Sequence, residues 1–290
     1  MRIAVTGREG QVARSLAERA GPGVEIVLVG RPELDLADPG SIAPALAAAR
    51  PDLVVSAAAY TAVDQAEDEP ALAQAVNGAG AGAVAKAAHD LGVPVVHLST
   101  DYVFDGSRDG PYLETDPTGP IGSYGASKLA GEREVAAANA RHAILRTAWV
   151  YSPFGKNFVR TMLRLAEGRD ELSVVADQHG NPTSALDIAD AILHAAPQLV
   201  SGRTDVFGIF HLAGTGDTHW ADFARRILET SARHGGPSAR VRDITTADFP
   251  TRARRPVNSR LSTAKFASTF GWTAPAWQDS TDLVVKRLLA

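Results

Sequence analysis

Residues 1–13 read Met1-Arg2-Ile3-Ala4-Val5-Thr6-Gly7-Arg8-Glu9-Gly10-Gln11-Val12-Ala13, and the order of their chemistry decides the fold. The apolar run Ile3 to Val5 has the composition of a buried strand, and an amphipathic pattern with helical spacing starts at Gln11 and runs to Arg19. Between them, glycines at 7 and 10 let the backbone turn sharply and approach a pyrophosphate, whose charge the following helix N-terminus stabilises. Ala13 stands where a third glycine often closes such a loop. A plain glycine turn would join a strand to a helix equally well, so the loop alone does not decide. Its place at the head of a longer series does.

Outward from this loop, Val24 to Val29 completes a strand, helix, strand unit, and further apolar runs follow at Leu53 to Ser56, Val93 to Leu98 and Ala143 to Leu145. Alanine-rich helical patterns around Ser41 to Ala49, Leu72 to Leu91 and Ser127 to Ala138 separate them. That alternation predicts parallel strands with helical crossovers: an α/β, Rossmann-type doubly wound parallel sheet. Beyond Trp149 the rhythm loosens into helices near 157–167, 186–194, 220–230, 263–270 and 277–289 and one strand near 172–175, which predicts a smaller mixed lobe. The expected division is a dinucleotide-binding domain over 1–149, with segments near 181–213 returning to it, and a substrate-binding lobe from 150–180 and 214–290. The loop from Asp105 to Pro120, rich in Gly, Pro and Asp, is long enough to line a cleft.

Composition narrows the function. The 290 residues are 45% hydrophobic and 21% charged, enough for a sizeable core, and the net charge of -4 offers no basic field for nucleic acid. The absence of cysteine removes disulfides, thiolate nucleophiles and cysteine-held metals. No apolar run reaches the 18 residues a membrane helix needs, and the start shows no charged leader, so the expectation is a soluble cytoplasmic protein. The eight histidines are scattered without ligand spacing, and no metal is expected.

After the second strand stands Val29-Gly30-Arg31, where an acidic residue would be expected to hold an adenosine ribose; Asp35 comes only after Pro32-Glu33-Leu34. Arg31 or Arg8 would instead pair with a 2'-phosphate, so NADPH is the expected cofactor, with NADH possible. Its expected contacts are Gly7, Gly10, Gln11, Val12, Gly30, Arg31, Asp35 and Leu36, and the small strand-end residues Ala57, Ala58 and Ala59 with Tyr60. The fourth strand runs into Ser99-Thr100-Asp101, and Tyr124-Gly125-Ala126-Ser127-Lys128 opens the next helix. Tyrosine and lysine four apart share one helix face, and a cation beside a phenol lowers its pKa, as general acid-base work on a carbonyl oxygen requires. Thr100, at the preceding strand end, can converge on the same oxygen.

With these elements in order, the chain resembles the extended short-chain dehydrogenase/reductase superfamily. The match to the dTDP-4-dehydrorhamnose reductase family extends through Val63-Asp64-x-Ala66-Glu67, Ser99 to Phe104 and Tyr124 to Gly131. It continues in Arg146-Thr147-Ala148-Trp149-Val150-Tyr151, Asn181-Pro182-Thr183 and Arg255-Pro256-x-Asn258-Ser259-x-Leu261. The resemblance implies NADPH-dependent reduction of a nucleotide-linked 4-keto-6-deoxyhexose, dTDP-4-dehydro-β-L-rhamnose giving dTDP-L-rhamnose. It makes Tyr124 the proton donor, gives Lys128 the cofactor ribose and Thr100 the ketone, and places Val63, Asp101 and Trp149 at the sugar. Relatives that dehydrate their sugar carry an Asp-Glu pair after the equivalent threonine; Tyr102 follows Asp101 here, which disfavours dehydration. Relatives with a magnesium-bridged dimer use glutamates on the first helix, where this chain has Ser15 and Leu16, so a monomer or weak homodimer is expected. A sister reductase of antibiotic sugars, such as one making dihydrostreptose, or a non-catalytic NADP-binding regulatory subunit are the alternatives. Thr100, Tyr124 and Lys128 argue against the latter.

Overall fold

The first apolar run becomes strand β1 (Arg2–Thr6), and Ile3, Ala4 and Val5 are fully buried. The computed structural model describes residues 1–290. Helix α1 (Gln11–Arg19), strand β2 (Glu25–Val29), helix α2 (Pro39–Ala49) and strand β3 (Leu53–Ser56) follow in the expected alternation. The helical pattern over 72–91 resolves into helix α3 (Pro70–Gln74), a π-helical stretch at Ala75–Gly80 and helix α4 (Ala81–Asp90). The widened turn has a local cause: the Asn77 amide bonds outward to the Tyr60 backbone N–H and C=O at 2.8 and 3.0 Å and to Ser127 Oγ at 3.0 Å.

Strand β4 (Val95–Thr100), helix α5 (Ser123–Ala138) and strand β5 (His142–Thr147) complete the first part, α5 starting four residues ahead of the predicted Ser127. The chain then forms β6 (Val150–Tyr151), α6 (Phe158–Ala166), β7 (Glu171–Val175), β8 (His179–Gly180), β9 (Thr183–Ser184) and α7 (Ala185–Val200). Strand β10 (Gly208–His211) returns to the sheet beside β5. Then come β11 (Thr218–His219), α8 (Trp220–Arg233), β12 (Arg240–Ile244), α9 (Ala264–Phe270) and α10 (Trp277–Leu289).

The sheet is six-stranded and parallel in the order β10-β5-β4-β3-β1-β2. Side-chain alternation splits its apolar residues between two faces. Ile3, Val5, Val55 and Leu145 pack on α1 and α7; Ala4, Val54, Val95 and Ile144 pack on α2 and α4. Chain direction across the sheet reverses between β1 and β3, so the carboxyl ends of those strands open into the crevice where such sheets bind ligands. A further core, built around Tyr151, Phe223, Trp277 and Val285, gathers α6, α8 and α10. No helix is long and apolar enough to cross a membrane.

Candidate active site

The loop after β1 forms one wall of the crevice. Gly7 sits at φ +93°, and a Cβ there would lie 3.4 Å from the Ala58 Cβ, so the loop at the end of β1 and the loop at the end of β3 touch across a gap only glycine and alanine leave open. Thr6 Oγ1 fixes the second loop by accepting from the Ala57 and Ala58 amides, both at 3.0 Å. Gly10 caps α1 without a side-chain hydrogen bond, which leaves the first-turn amides of this nine-residue helix as open donors. These features fit a dinucleotide diphosphate.

The expected cofactor residues divide. Gly7, Gly10, Gly30 and Ala57 to Ala59 border the crevice, and Arg31 stands exposed with no hydrogen bond or ion pair. The Val12 side chain is core against the sheet, so only its backbone faces the loop. Gln11 reaches away from the loop: its Oε1 accepts from Ser152 Oγ at 2.8 Å and Asn157 Nδ2 at 3.0 Å. The side chains of Asp35 and Leu36 also serve the turn before α2. Asp35 Oδ1 caps the Ala37 amide at 2.9 Å, and Leu36 is buried beside Gly80 because its apolar side chain completes the α2–α4 core. The Tyr60 hydroxyl donates to Glu69 Oε2 at 2.8 Å.

On the far side of the crevice, Thr100 ends β4, and Tyr124 and Lys128 share the face of α5 turned to it. Two glycines allow this closeness. A Cβ at Gly125 would lie 2.1 Å from the Tyr102 carbonyl oxygen, and one at Gly131 2.1 Å from that of Asn77, so α5 rests directly on two backbones. Behind it, Glu132 is buried with Arg146 of β5 in a bidentate pair at 2.9 and 2.7 Å, and Ser99 Oγ donates to Glu132 at 2.5 Å. This network ties α5 to β4, which ends at Thr100, and to β5, which ends two residues before Trp149.

Lys128 Nζ donates to the Leu98 carbonyl at 2.6 Å and lies 3.4 Å from His97 Nε2, whose Nδ1 meets Ser56 Oγ at 3.1 Å. Burial lowers the lysine to about 8, opposed by Glu132, and burial with the Lys128 charge holds His97 well below the usual histidine range. The expected acidified phenol is not what this arrangement gives. Burial first, and then the Asp101 charge, push Tyr124 up to about 12, with the neighbouring Thr100 hydroxyl pulling the other way, while Lys128 points its charge at the Leu98 carbonyl. Thr100 Oγ1 donates to Asp101 Oδ1 at 2.9 Å. Asp101 is raised to about 6 by burial, with the Ser259 and Thr100 hydroxyls pulling the other way.

Val63, Glu67, Tyr102, Tyr124 and Arg254 line a pocket against the Tyr124 ring, and Tyr102 meets that ring edge-on at 5.9 Å. Glu67 caps the N-terminus of α5 through the Ser123 amide at 2.7 Å. Trp149, held at φ +48°, stacks on Trp220 with centroids 3.6 Å apart and wedges against Gly180. One ring face is therefore covered by tryptophan, and only the remainder can meet a sugar. No group of three or more His, Asp or Glu side chains is placed to hold a metal ion.

Sequence reasoning read Tyr102 only as the absence of a second carboxylate, and it passed over Glu33, His97, Glu132, Trp220 and Arg254 as site residues. Glu132 had a signal, lying four residues beyond Lys128 on the same helix face. The others meet the site only through tertiary packing.

Comparison with known proteins places this geometry. The family profile described as the RmlD substrate binding domain matches residues 1–290. The chain is 53% identical over 290 residues to a dTDP-4-dehydrorhamnose reductase from Sinorhizobium fredii, covering 100% of this chain and 98% of that one. Among solved structures, a dTDP-4-dehydrorhamnose reductase from Clostridium acetobutylicum superposes with a TM-score of 0.92 at 36% identity, covering 100% of both chains. The Bacillus anthracis dTDP-4-dehydrorhamnose reductase in complex with NADP superposes at 0.89 with 35% identity, covering 98% of each. The chain belongs to the dTDP-4-dehydrorhamnose reductase family.

Proposed function

We propose that the protein reduces the 4-keto group of a dTDP-4-keto-6-deoxyhexose with NADPH, converting dTDP-4-dehydro-β-L-rhamnose to dTDP-L-rhamnose. The observation that carries the reading is the meeting of Thr100, Tyr124 and Lys128 at the carboxyl end of β4, across the crevice from the glycine loop. Bound NADPH supplies the hydride. Tyr124, at about 12, keeps its proton at neutral pH and gives it to the carbonyl oxygen as negative charge develops there. Lys128 is the one buried cation on the same helix face, and its ammonium offsets the phenolate that remains. The Thr100 proton is engaged by Asp101 Oδ1, so holding the ketone oxygen requires that hydroxyl to turn from one acceptor to the other. Val63 and Tyr102 supply apolar surface beside the sugar, and Asp101 an acceptor for one of its hydroxyls.

On this reading residues 1–149 and 181–213 hold the cofactor, 150–180 and 214–290 hold the sugar, and the protein works in the cytoplasm as a monomer or weak homodimer. The test is loss of NADPH absorbance with a panel of dTDP-4-keto sugars, with product stereochemistry determined. Turnover giving the rhamno product is expected. NADPH binding without turnover of any of them would refute the reading and favour a regulatory subunit.

A further inference from the structure

The end of β2 holds an ion pair that the spacing of residues concealed. Arg8, from the glycine loop, lies over Gly30, where a Cβ would come within 3.2 Å of the Arg8 Cγ. Its Nη2 donates to Glu33 Oε2 at 2.5 Å. Glu33 lies two residues past Arg31, and the turn brings its carboxylate back over the strand end. The side chains remain 44% and 56% exposed, so both reach the solvent-facing part of the crevice. Arg31, beside them, makes no ion pair.

In sheets of this kind the adenosine ribose lies at the end of the second strand, where a carboxylate accepts from a 2'-hydroxyl and an arginine receives a 2'-phosphate. This chain carries both devices there, and they are bound to each other. A 2'-phosphate must draw Arg8 from Glu33 and then sit beside that carboxylate; a 2'-hydroxyl finds an acceptor in Glu33 and needs nothing from Arg8. We propose that Glu33 sets the cofactor selectivity of this reductase by competing with the 2'-phosphate of NADPH for Arg8, which keeps NADH usable. The proposal rests on the crevice holding a nicotinamide dinucleotide, and not on the identity of the sugar.

The test measures binding of NADPH and NADH by fluorescence titration of the whole protein, with 2'-AMP and 5'-AMP as competitors. Glu33→Gln keeps the shape and removes the charge. It is expected to tighten NADPH by about three- to tenfold, as for a charge some 6 Å away through water-exposed surroundings, and to leave NADH unchanged or weaker. Arg8→Gln is expected to weaken NADPH at least as much, and in that background Glu33→Gln recovers part of the loss by removing repulsion alone. The gain from Glu33→Gln shrinks in 500 mM NaCl. A selectivity ratio within twofold of the wild type in Glu33→Gln overturns the proposal. So does full NADPH affinity in Arg8→Gln with its loss in Arg31→Gln, which assigns the phosphate to Arg31. A wild type that binds neither dinucleotide overturns both this proposal and the cofactor reading, whereas unchanged ratios in a protein that binds both overturn only the former.

Discussion

Asp101 is buried at the floor of the site, 3% exposed, and burial raises its pKa from 3.8 to about 6. Between those two values the native protein keeps a proton that the unfolded chain has released. Stability therefore falls as pH rises through that window, and the whole cost is present above about pH 6. The difference corresponds to about 3 kcal/mol at pH 7. Asp101→Asn keeps the shape and the acceptor for Thr100 Oγ1 while removing the charge, so it is expected to stabilise the protein by up to about 3 kcal/mol at pH 7.5. At pH 4, where the native aspartate is already neutral, the gain should vanish. Urea unfolding of wild type and variant across pH 4 to 8 measures this, with the difference between them cancelling all other titrating groups. Activity should move the opposite way, with KM for the sugar rising about 10- to 100-fold for a lost charged hydrogen bond. A variant no more stable than wild type at pH 7.5, or equally stabilised at pH 4 and 7.5, refutes the reasoning.

Tyr124→Phe keeps the ring and removes the proton donor; turnover should drop by roughly 10²- to 10⁴-fold with NADPH affinity retained, measured by steady-state kinetics and fluorescence titration. Lys128→Met should weaken NADPH and lower kcat, measured by fluorescence titration and steady-state kinetics, because the ammonium that offsets the phenolate formed on proton transfer is gone. Gly125→Ala sets a methyl group 2.1 Å from the Tyr102 carbonyl, so α5 must lift from that backbone. A loss of about 1 to 3 kcal/mol in urea unfolding is expected, with kcat falling further than KM rises, since Tyr124 moves with the helix.

Where sequence and structure agree, the signal is local. Ile3 to Val5, Leu53 to Ser56 and Ala143 to Leu145 are apolar because parallel strands are covered on both faces, and that run of residues is readable without knowing the partner. Gly208-Ile209-Phe210-His211 has only two apolar residues, set between a glycine and a histidine, and pairs with β5 across a long separation, so nothing nearby announces a strand. Arg240 to Ile244, with three charged residues, is a strand only because β7 lies beside it. The same contrast holds at the site. Thr100, Tyr124 and Lys128 sit at fixed offsets from a strand end and a helix start, whereas Glu33 meets Arg8, and Trp220 covers Trp149, through turns whose direction no spacing encodes. The phenol's pKa is set by its burial and by the Asp101 charge beside it, which are properties of the packed core and not of helix periodicity.

The late arrival of β10 bears on synthesis of the chain. β5 is complete at Thr147, but its second neighbour begins at Gly208. At about 5 to 20 residues per second, a ribosome leaves that edge without its partner for several seconds. An unpaired edge with Ala143, Ile144 and Leu145 at its centre is a template for pairing with another nascent chain. Arg146 and Glu132 are both already made by then, so their buried pair can hold β5 to α5 and β4 during the wait. A chain interrupted before Phe210 keeps that edge open permanently, and its fate is set by association with its neighbours rather than by the stability of what has folded.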